Sequence, residues 1–183
     1  MRKRILSLLL MLGLLGGSQA VLAAEAVQEA KPLPVWSYGM LADGYAMGLF
    51  GDEMYLLHDQ TVTMEQLETM TQVVAGKLAL LEVETRSADE EGLVIDTTRG
   101  GVVNALYQAA ADYNFPGIDQ APADYLVSVG ALAGDGTGLH LDRPCTLLEA
   151  ATMANSLILN LYDQQNAGSL GLLWRATSGD NTL

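Results

Sequence analysis

The feature that most constrains this fold is a segment that occurs twice, about eighty residues apart. Gly48 and Thr63 are separated by 15 positions in the first copy, and Gly130 and Thr146 by 16 in the second. From each threonine onwards the copies align without a gap, so that Thr63, Thr69, Met70, Val74 and Leu78 correspond to Thr146, Thr152, Met153, Leu157 and Leu161. Such a repeat indicates one helix-loop-helix unit used twice, which is typical of docking and scaffolding proteins rather than of enzymes.

Each copy predicts a helix end followed by a capped helix. Gly48 and Gly130 stand where a helix should stop, a place that favours left-handed backbone. Thr63-x-x-Gln66 and Thr146-x-x-Glu149 read as capping boxes, in which the threonine hydroxyl accepts a hydrogen bond from the third helical N–H and the later side chain reaches back to the threonine N–H. We therefore predict an all-α fold with helices over residues 36–49, 63–81, 102–113, 123–132 and 146–162.

Apolar residues predict which surfaces are buried. The helix that follows Thr63 carries one apolar stripe at three- and four-residue spacing: Leu67, Met70, Val74, Leu78 and Leu81. Trp36 opens the first helix and is predicted to anchor the core. The Tyr-Leu-Leu segment at residues 55–57 is predicted to fold back onto the same core.

The first residues have the pattern of a secretion signal. Residues 2–4 are basic, residues 5–15 form an apolar run, and residues 21–23 supply the small side chains that signal peptidase accepts, with residues 18–20 as an alternative. The run is shorter than the roughly 20 residues that cross a bilayer, and an uncleaved anchor is the alternative. We expect a secreted, extracytoplasmic chain without stable membrane insertion after cleavage.

Charge excludes several classes of partner. Cleavage removes three of nine basic residues and no acidic one, so six basic side chains face 22 acidic ones and the formal net charge moves from −13 to −16. Binding to nucleic acid requires a basic surface, which such a composition does not supply. Anionic polymers and anionic membranes should be repelled for the same reason.

The candidate reactive residues favour structural roles. Cys145 is the only cysteine, so no intrachain disulfide can form. It directly precedes a predicted helix, where a thiol pKa can be lowered, but no basic partner can be assigned and we interpret it as a small buried residue. His58 and His140 are the only histidines and lie at no metal-ligand spacing.

The glycine-rich stretch at residues 134–138 is interpreted as a connector. It lacks the Lys-Ser/Thr that ends a phosphate-binding loop, and Asp135 is its only acid, whereas a calcium loop needs several. The acidic pairs elsewhere are interpreted as solvated loop charges, since a glycosidase needs two carboxylates that converge across a cleft. We predict no catalytic residue, no metal and no cofactor.

The repeated pattern resembles the S-layer homology module, which combines an aromatic-led helix, a Gly-Leu helix end, a Gly-rich loop and a Thr-Arg-Ala-Glu start to a second helix. Trp36 and residues 48–49 match the first half. Residues 130–132 and 134–136, with Pro144 and the Thr146-x-x-Glu149 start, match in the second copy. The resemblance covers residues 36–82 and 101–162.

This sequence departs from that family at two points. The resemblance implies an arginine after the threonine that helps bind anionic cell-wall polysaccharide, and Met64 and Leu147 stand there instead. Family members commonly arrange three units around a pseudo-threefold axis, whereas two are evident in the sequence. A missing third unit would leave apolar surface to be covered by self-association or by another domain.

A second resemblance lies at the C-terminus. Residues 168–176, with the Gly-Asp-Asn-Thr-Leu of residues 179–183, look like the opening of a TraB/GumN-family domain, a Leu-Trp strand followed by a short turn. The family is thought to include metal-dependent proteases, and this chain stops before the Gly-x-x-His motif that such domains contain. The alternative is a frayed tail with a hydrophobic patch.

These observations predict six regions: a signal peptide (1–23), a flexible leader (24–35), a first unit (36–82), an acidic linker (83–100), a second unit with a preceding helix (101–162) and a short β-prone tail (163–183). The predicted function is a secreted, non-catalytic binding or scaffolding module of the cell envelope. Its expected partner is a cell-wall glycan or an envelope protein, and self-association is a further expectation.

The residues predicted to carry this architecture or to bind are Trp36, Gly48, Thr63, Gln66, Gly130, Asp135, Thr146 and Glu149. The rival interpretation is that this region belongs to an enzyme but does not contain its active site. It makes this region the N-terminal accessory part of a TraB/GumN-like protein whose active site lies beyond Leu183.

Overall fold

The computed structural model describes residues 31–87 and 92–165. Within them the chain is helical and forms no sheet, so the all-α prediction is confirmed. The helices are α1 (Ser37–Met47), α2 (Met54–Leu57), α3 (Met64–Ala79), α4 (Arg99–Ala111), α5 (Pro122–Ser128) and α6 (Leu147–Gln164). The predicted signal peptide and nearly all of the predicted tail lie outside the described residues.

The three long helices α3, α4 and α6 begin in the same way. Each follows a threonine in extended backbone whose hydroxyl accepts a hydrogen bond from the backbone N–H three residues on. These bonds measure 3.1–3.3 Å and join Thr63 to Gln66, Thr98 to Gly101, and Thr146 to Glu149. The predicted capping boxes are confirmed, because Gln66 and Glu149 also accept the N–H of their own threonine.

The cap at Thr98 belongs to a third copy of the repeat that we did not predict. Positions four and seven residues after each threonine are buried in all three copies: Leu67 and Met70, Val102 and Ala105, Ala150 and Met153. The helix predicted to precede the second unit therefore begins in the same way as the long helices of the two predicted units. The predicted linker 83–100 ends too late, since α4 already begins at Arg99.

The third copy was not predicted because a residue before its threonine, rather than one after it, accepts the hydrogen bond from the threonine N–H. Asp96, two residues before Thr98, accepts the Thr98 N–H at 2.8 Å, the bond that Gln66 and Glu149 accept in the other copies. Position three of α4 is Gly101, and a Cβ there would collide with the Asp96 carboxylate and backbone. The capping-box signature is thus absent from the sequence although its hydrogen bonds are present.

The three helix starts meet at one end of the molecule. Val62 N–H donates to the Cys145 carbonyl at 2.9 Å, and Cys145 N–H donates to the Thr97 carbonyl at 3.0 Å. We call this end, formed by residues 60–63, 97–99 and 143–147, the cap end. At the opposite end the Tyr162 hydroxyl donates to the Lys77 carbonyl at 2.7 Å, so α3 and α6 run in the same direction.

The shorter helices pack across units. Gly48 and Gly130 end α1 and α5 with φ angles of 76° and 74°, as the predicted left-handed stops require. The chain then returns, and α1 packs against α6 while α5 packs against α4. Each short helix therefore lies on a long helix of another unit, which joins the units into one core.

Burial confirms the stripe of α3 but corrects the predictions around α1. Leu67, Met70, Val74 and Leu78 are at most 1% exposed, whereas Leu81 is only partly buried. Trp36 is 65% exposed, so its prediction as a core anchor is wrong. The interior side of α1 is formed instead by Ser37, Leu41, Gly44 and Met47.

The segment after α1 also differs from its prediction. Tyr55, Leu56 and Leu57 are 49%, 66% and 42% exposed, while Met54 and His58 are buried. The reason is that this segment forms the short helix α2, on which positions four apart share one face. His58, interpreted as a loop residue, is accordingly a buried residue at the end of that helix.

Gly76 and Gly101 offer a matched pair of substitutions. Among the described residues, nothing apart from Gly76's chain neighbours and the nearby helix backbone lies within 4 Å of the place where a Cβ at Gly76 would stand. Gly76→Ala should therefore raise the free energy of unfolding by about 0.5–1 kcal/mol through helix propensity. Gly101→Ala should lower it by more than about 1 kcal/mol, because the new methyl group collides with Asp96. Urea denaturation followed by circular dichroism measures both, and a stabilising Gly101→Ala would contradict the role given to Asp96.

Candidate functional site

The cap end is held together by an ion cluster around Glu149. Arg99 Nη1 lies 3.3 Å from Glu149 Oε1, and Arg143 donates from Nη1 to Oε2 at 2.8 Å and from Nη2 to Oε1. Arg99 Nη2 also donates to the Ala133 carbonyl at 2.8 Å. The Arg99 side chain is only 10% exposed, so this guanidinium links α4 to the chain before and after the cap of α6.

The same cluster sets the protonation of Glu149. Burial alone would raise the pKa of its carboxyl, but hydrogen bonds from Arg143 and the Thr146 N–H, together with the charges of Arg143 and Arg99, outweigh burial and lower the pKa to about 2. Glu149 is therefore an ionised structural group, not a proton donor at neutral pH.

Arg99 is the residue that sequence analysis missed at this end. It follows Thr98 directly, which is the Thr-Arg pattern found lacking at Met64 and Leu147. The arginine is thus present in one copy of three, the copy in which Asp96 takes the place of the usual capping-box side chain. Its guanidinium is turned towards Glu149 and Ala133, which leaves Arg143, with a side chain 42% exposed, as the accessible cation of the cluster.

The glycine-rich loop closes on itself through Asp135. Its Oδ1 accepts hydrogen bonds from the Thr137 N–H and hydroxyl at 2.9 and 2.7 Å and lies 3.0 Å from His140 Nε2. The bonds from Thr137, with that from His140, hold the pKa of Asp135 well below its usual range. In residues 31–87 and 92–165 no three His, Cys, Asp or Glu side chains gather as metal ligands would.

Cys145 is fully buried, as predicted. Burial is the main cause that raises the pKa of its thiol to about 12, with a smaller contribution from the Glu149 charge. A thiol in that state carries no nucleophilic thiolate at neutral pH.

The structure brings two predicted residues together away from the cap cluster. Gly48 and Gln66 line a hollow of about 410 Å³ between the turn after α1 and the first turns of α3. Glu53, Glu65 and Thr69 supply further polar groups to its walls. The hollow is therefore apolar at its base, where Leu49 and Met70 lie, and acidic at its rim.

Beside this hollow lies an exposed aromatic surface that we did not predict. Tyr38 and Tyr45 are 55% and 49% exposed and lie two turns apart on α1, and Tyr55 on α2 is 49% exposed. Tyr45 is near both Asp52 and Tyr55, and the Asp52 carboxylate is the chief cause that raises the pKa of Tyr45. We call Tyr38, Tyr45 and Tyr55 the aromatic patch. The seven-residue spacing of Tyr38 and Tyr45 was the available sequence signal.

Comparison with known proteins identifies no relative: no family model, no curated protein and no solved structure matches this chain. The resemblances to the S-layer homology module and to the TraB/GumN family therefore stand on the residues alone. The second rests on residues outside the described part of the chain. Within the described part, no helix is both long enough and apolar enough to cross a membrane.

The lowered pKa of Glu149 predicts a pH dependence of stability. A carboxyl whose pKa is lower in the folded state stabilises the fold above its unfolded pKa, and this contribution is lost as pH falls from about 4.5 towards 2. Glu149→Gln should therefore lower the free energy of unfolding at pH 7 and flatten its decline below pH 4.5. Chemical denaturation at several pH values measures this. The exposed Glu84→Gln removes one negative charge as a control, and an unchanged slope in Glu149→Gln would contradict the argument.

The burial of Cys145 predicts that its thiol is protected. We expect an aromatic disulfide reagent, which releases a coloured thiolate when it reacts with a thiol, to label the folded protein at least about a hundred times more slowly than the protein in denaturant. In denaturant one thiol per chain should react. Absorbance of the released chromophore follows the reaction. Rapid labelling of a chain shown by circular dichroism to be folded would rule out this placement of Cys145.

Proposed function

We propose that this chain is a non-catalytic binding module of the cell envelope that holds an uncharged cell-wall glycan on its first unit. The observation that carries the proposal is the aromatic patch beside the acidic-rimmed hollow. Tyrosine combines an apolar ring face with a hydroxyl, and exposed groups of such residues mark binding surfaces. A sugar ring presents apolar C–H faces and hydroxyl groups, which match both features.

Electrostatics selects the class of glycan. Asp52, Glu53 and Glu65 lie at the patch or on the rim of the hollow. Their carboxylates can accept hydrogen bonds from sugar hydroxyls, whereas they repel carboxylate or phosphate groups of an anionic polymer. This chemistry favours a neutral polysaccharide over the anionic polymer that the S-layer homology resemblance implies.

The environments of the potentially reactive side chains support binding rather than catalysis. The Cys145 thiol is buried with a raised pKa, the Glu149 carboxylate is held by two arginines, and Asp135 accepts hydrogen bonds from its own loop. Each of these groups is engaged in maintaining the fold. The envelope location follows from the secretion signal predicted at residues 1–23.

Co-sedimentation of the chain from residue 24 onwards with purified, insoluble cell wall tests the proposal. We expect retention that changes little between low and high salt, because stacking and neutral hydrogen bonds are screened weakly. Replacing two rings in Tyr38→Ala/Tyr45→Ala should weaken retention at least about tenfold, at about 1 kcal/mol for each ring.

Two matched variants make this experiment decisive. Tyr38→Phe/Tyr45→Phe keeps the rings and should retain most binding, and Val127→Ala removes an exposed apolar group from α5 and should change nothing. A native chain that is not retained even at low salt would end the proposal. Retention that survives the double alanine change would leave a binding module but move its site away from the aromatic patch.

A further inference from the structure

The packing of the short helices leaves one position unfilled. α1 belongs to the same unit as α3 and packs against α6, and α5 belongs to the unit of α6 and packs against α4. In both cases the short helix of one unit packs against the long helix of the next unit around the ring. A short helix belonging to the unit of α4 would, in the same arrangement, pack against α3. In the described part of the chain no short helix packs against α3 to a comparable extent. Between Ala79 and Thr98, the residues that the structure describes (80–87 and 92–97) form no helix.

A groove lies at that position, between α3 and α4, with a volume of about 660 Å³. On the α3 side its lining runs from Met64 to Ala75, a length of about 17 Å or three helical turns. The helix α1, which fills the equivalent position on α6, has 11 residues and the same length. The groove therefore has the dimensions of one short helix.

The floor and rims of the groove differ in character. Leu67, Ala105 and Ala109 form part of the floor, and the small alanine side chains allow a helix backbone to approach α4 closely. Glu65 and Glu68 on α3 and Asp112, directly after the end of α4, line the two sides. No basic residue is among the described residues that line it, so the groove is an apolar channel with acidic walls.

We propose that this groove binds an amphipathic α-helix of a second protein, about three turns long, with one apolar stripe and with lysine or arginine on both flanks. An amphipathic helix in an apolar groove is a recurrent mode of recognition. The flanking cations would face Glu65 and Glu68 on one side and Asp112 on the other, which fixes the orientation and increases the rate of association. The groove shares Glu65 with the rim of the hollow but contains no tyrosine of the aromatic patch, and the proposal does not depend on glycan binding.

Charge and composition separate this occupant from two others. A second copy of the chain, with a formal net charge of −16 after signal cleavage, would bring acidic surface to acidic walls. The segment 166–183 has Arg175 as its one basic residue and contains glycine at positions 168, 171 and 179, a composition that disfavours a helix. A basic helix from another protein has both the charge that the acidic walls require and the helical form that the groove fits.

Fluorescence anisotropy with two synthetic peptides tests the proposal on the full chain after signal cleavage. Both peptides carry leucine and alanine at helical spacing on one face; one has lysine on its flanks and the other has glutamate there. We expect saturable binding of the lysine peptide and at least tenfold weaker binding of the glutamate peptide. Glu68→Lys/Asp112→Lys should weaken binding of the lysine peptide at least tenfold, and Ala109→Trp, which fills the groove, should do the same.

The matched control is Asp142→Lys/Asp163→Lys, which makes the same change in net charge at exposed positions that do not line the groove. It should bind the lysine peptide within about twofold of the native chain. Equal weakening by the control and groove variants, or undiminished binding by Ala109→Trp, would overturn the proposal in favour of non-specific attraction.

Two further outcomes would assign the groove to another occupant. Tenfold tighter peptide binding by Leu172→Ser/Trp174→Ser would show that the C-terminal segment competes for the groove. A dimer seen by light scattering and abolished by Ala109→Trp would show that a second copy fills it. Either result would overturn the assignment to a second protein.

Discussion

The architecture depends on the way in which three separate stretches of chain are joined at the cap end. Arg99 is central to this junction, because its guanidinium reaches both the Glu149 carboxylate and the Ala133 carbonyl while its own backbone N–H donates to the Arg143 carbonyl at 2.8 Å. A largely buried arginine needs such partners, since an unpaired buried charge is strongly destabilising. The junction holds the first residues of α4 and α6 next to each other at the cap end.

Local chemistry made much of the fold predictable. The threonine caps and the glycine stops are decided within four or five residues, and Gly48, Thr63, Gly130 and Thr146 are found in those roles. The helix at Arg99 was predicted three residues late, because Asp96 and Gly101 together replace the usual capping box. This alternative capping arrangement can be recognised only from the structure, in which the Asp96 carboxylate lies beside the Thr98 N–H.

Burial depends on tertiary packing, and there the sequence was a weaker guide. Trp36 suggested a core residue by its size, yet α1 presents its narrow side, with Ser37 and Gly44, to the interior. A Cβ on Gly44 would lie 2.7 Å from the Phe50 ring, so this close approach requires glycine. The aromatic patch follows from the same geometry, because Ser37, Leu41, Gly44 and Met47 occupy the interior side of α1 and its tyrosines are exposed. The groove between α3 and α4 could not be predicted at all, since it depends on which helix a short helix packs against.

The backbone bonds at the cap end also determine how this repeat protein should unfold. In a linear array of repeats each unit touches only its neighbours, so units can be lost from the ends one at a time. Here Val62 is bonded to Cys145, and Tyr162 is bonded to Lys77 across 85 positions of sequence, so the first and last units are direct partners. The ring of units is closed, and neither terminal unit can detach without exposing the core of the others. Cooperativity in this chain is therefore expected to be a property of the whole ring. The contacts that close the ring join repeats far apart in sequence, and such non-local contacts slow folding.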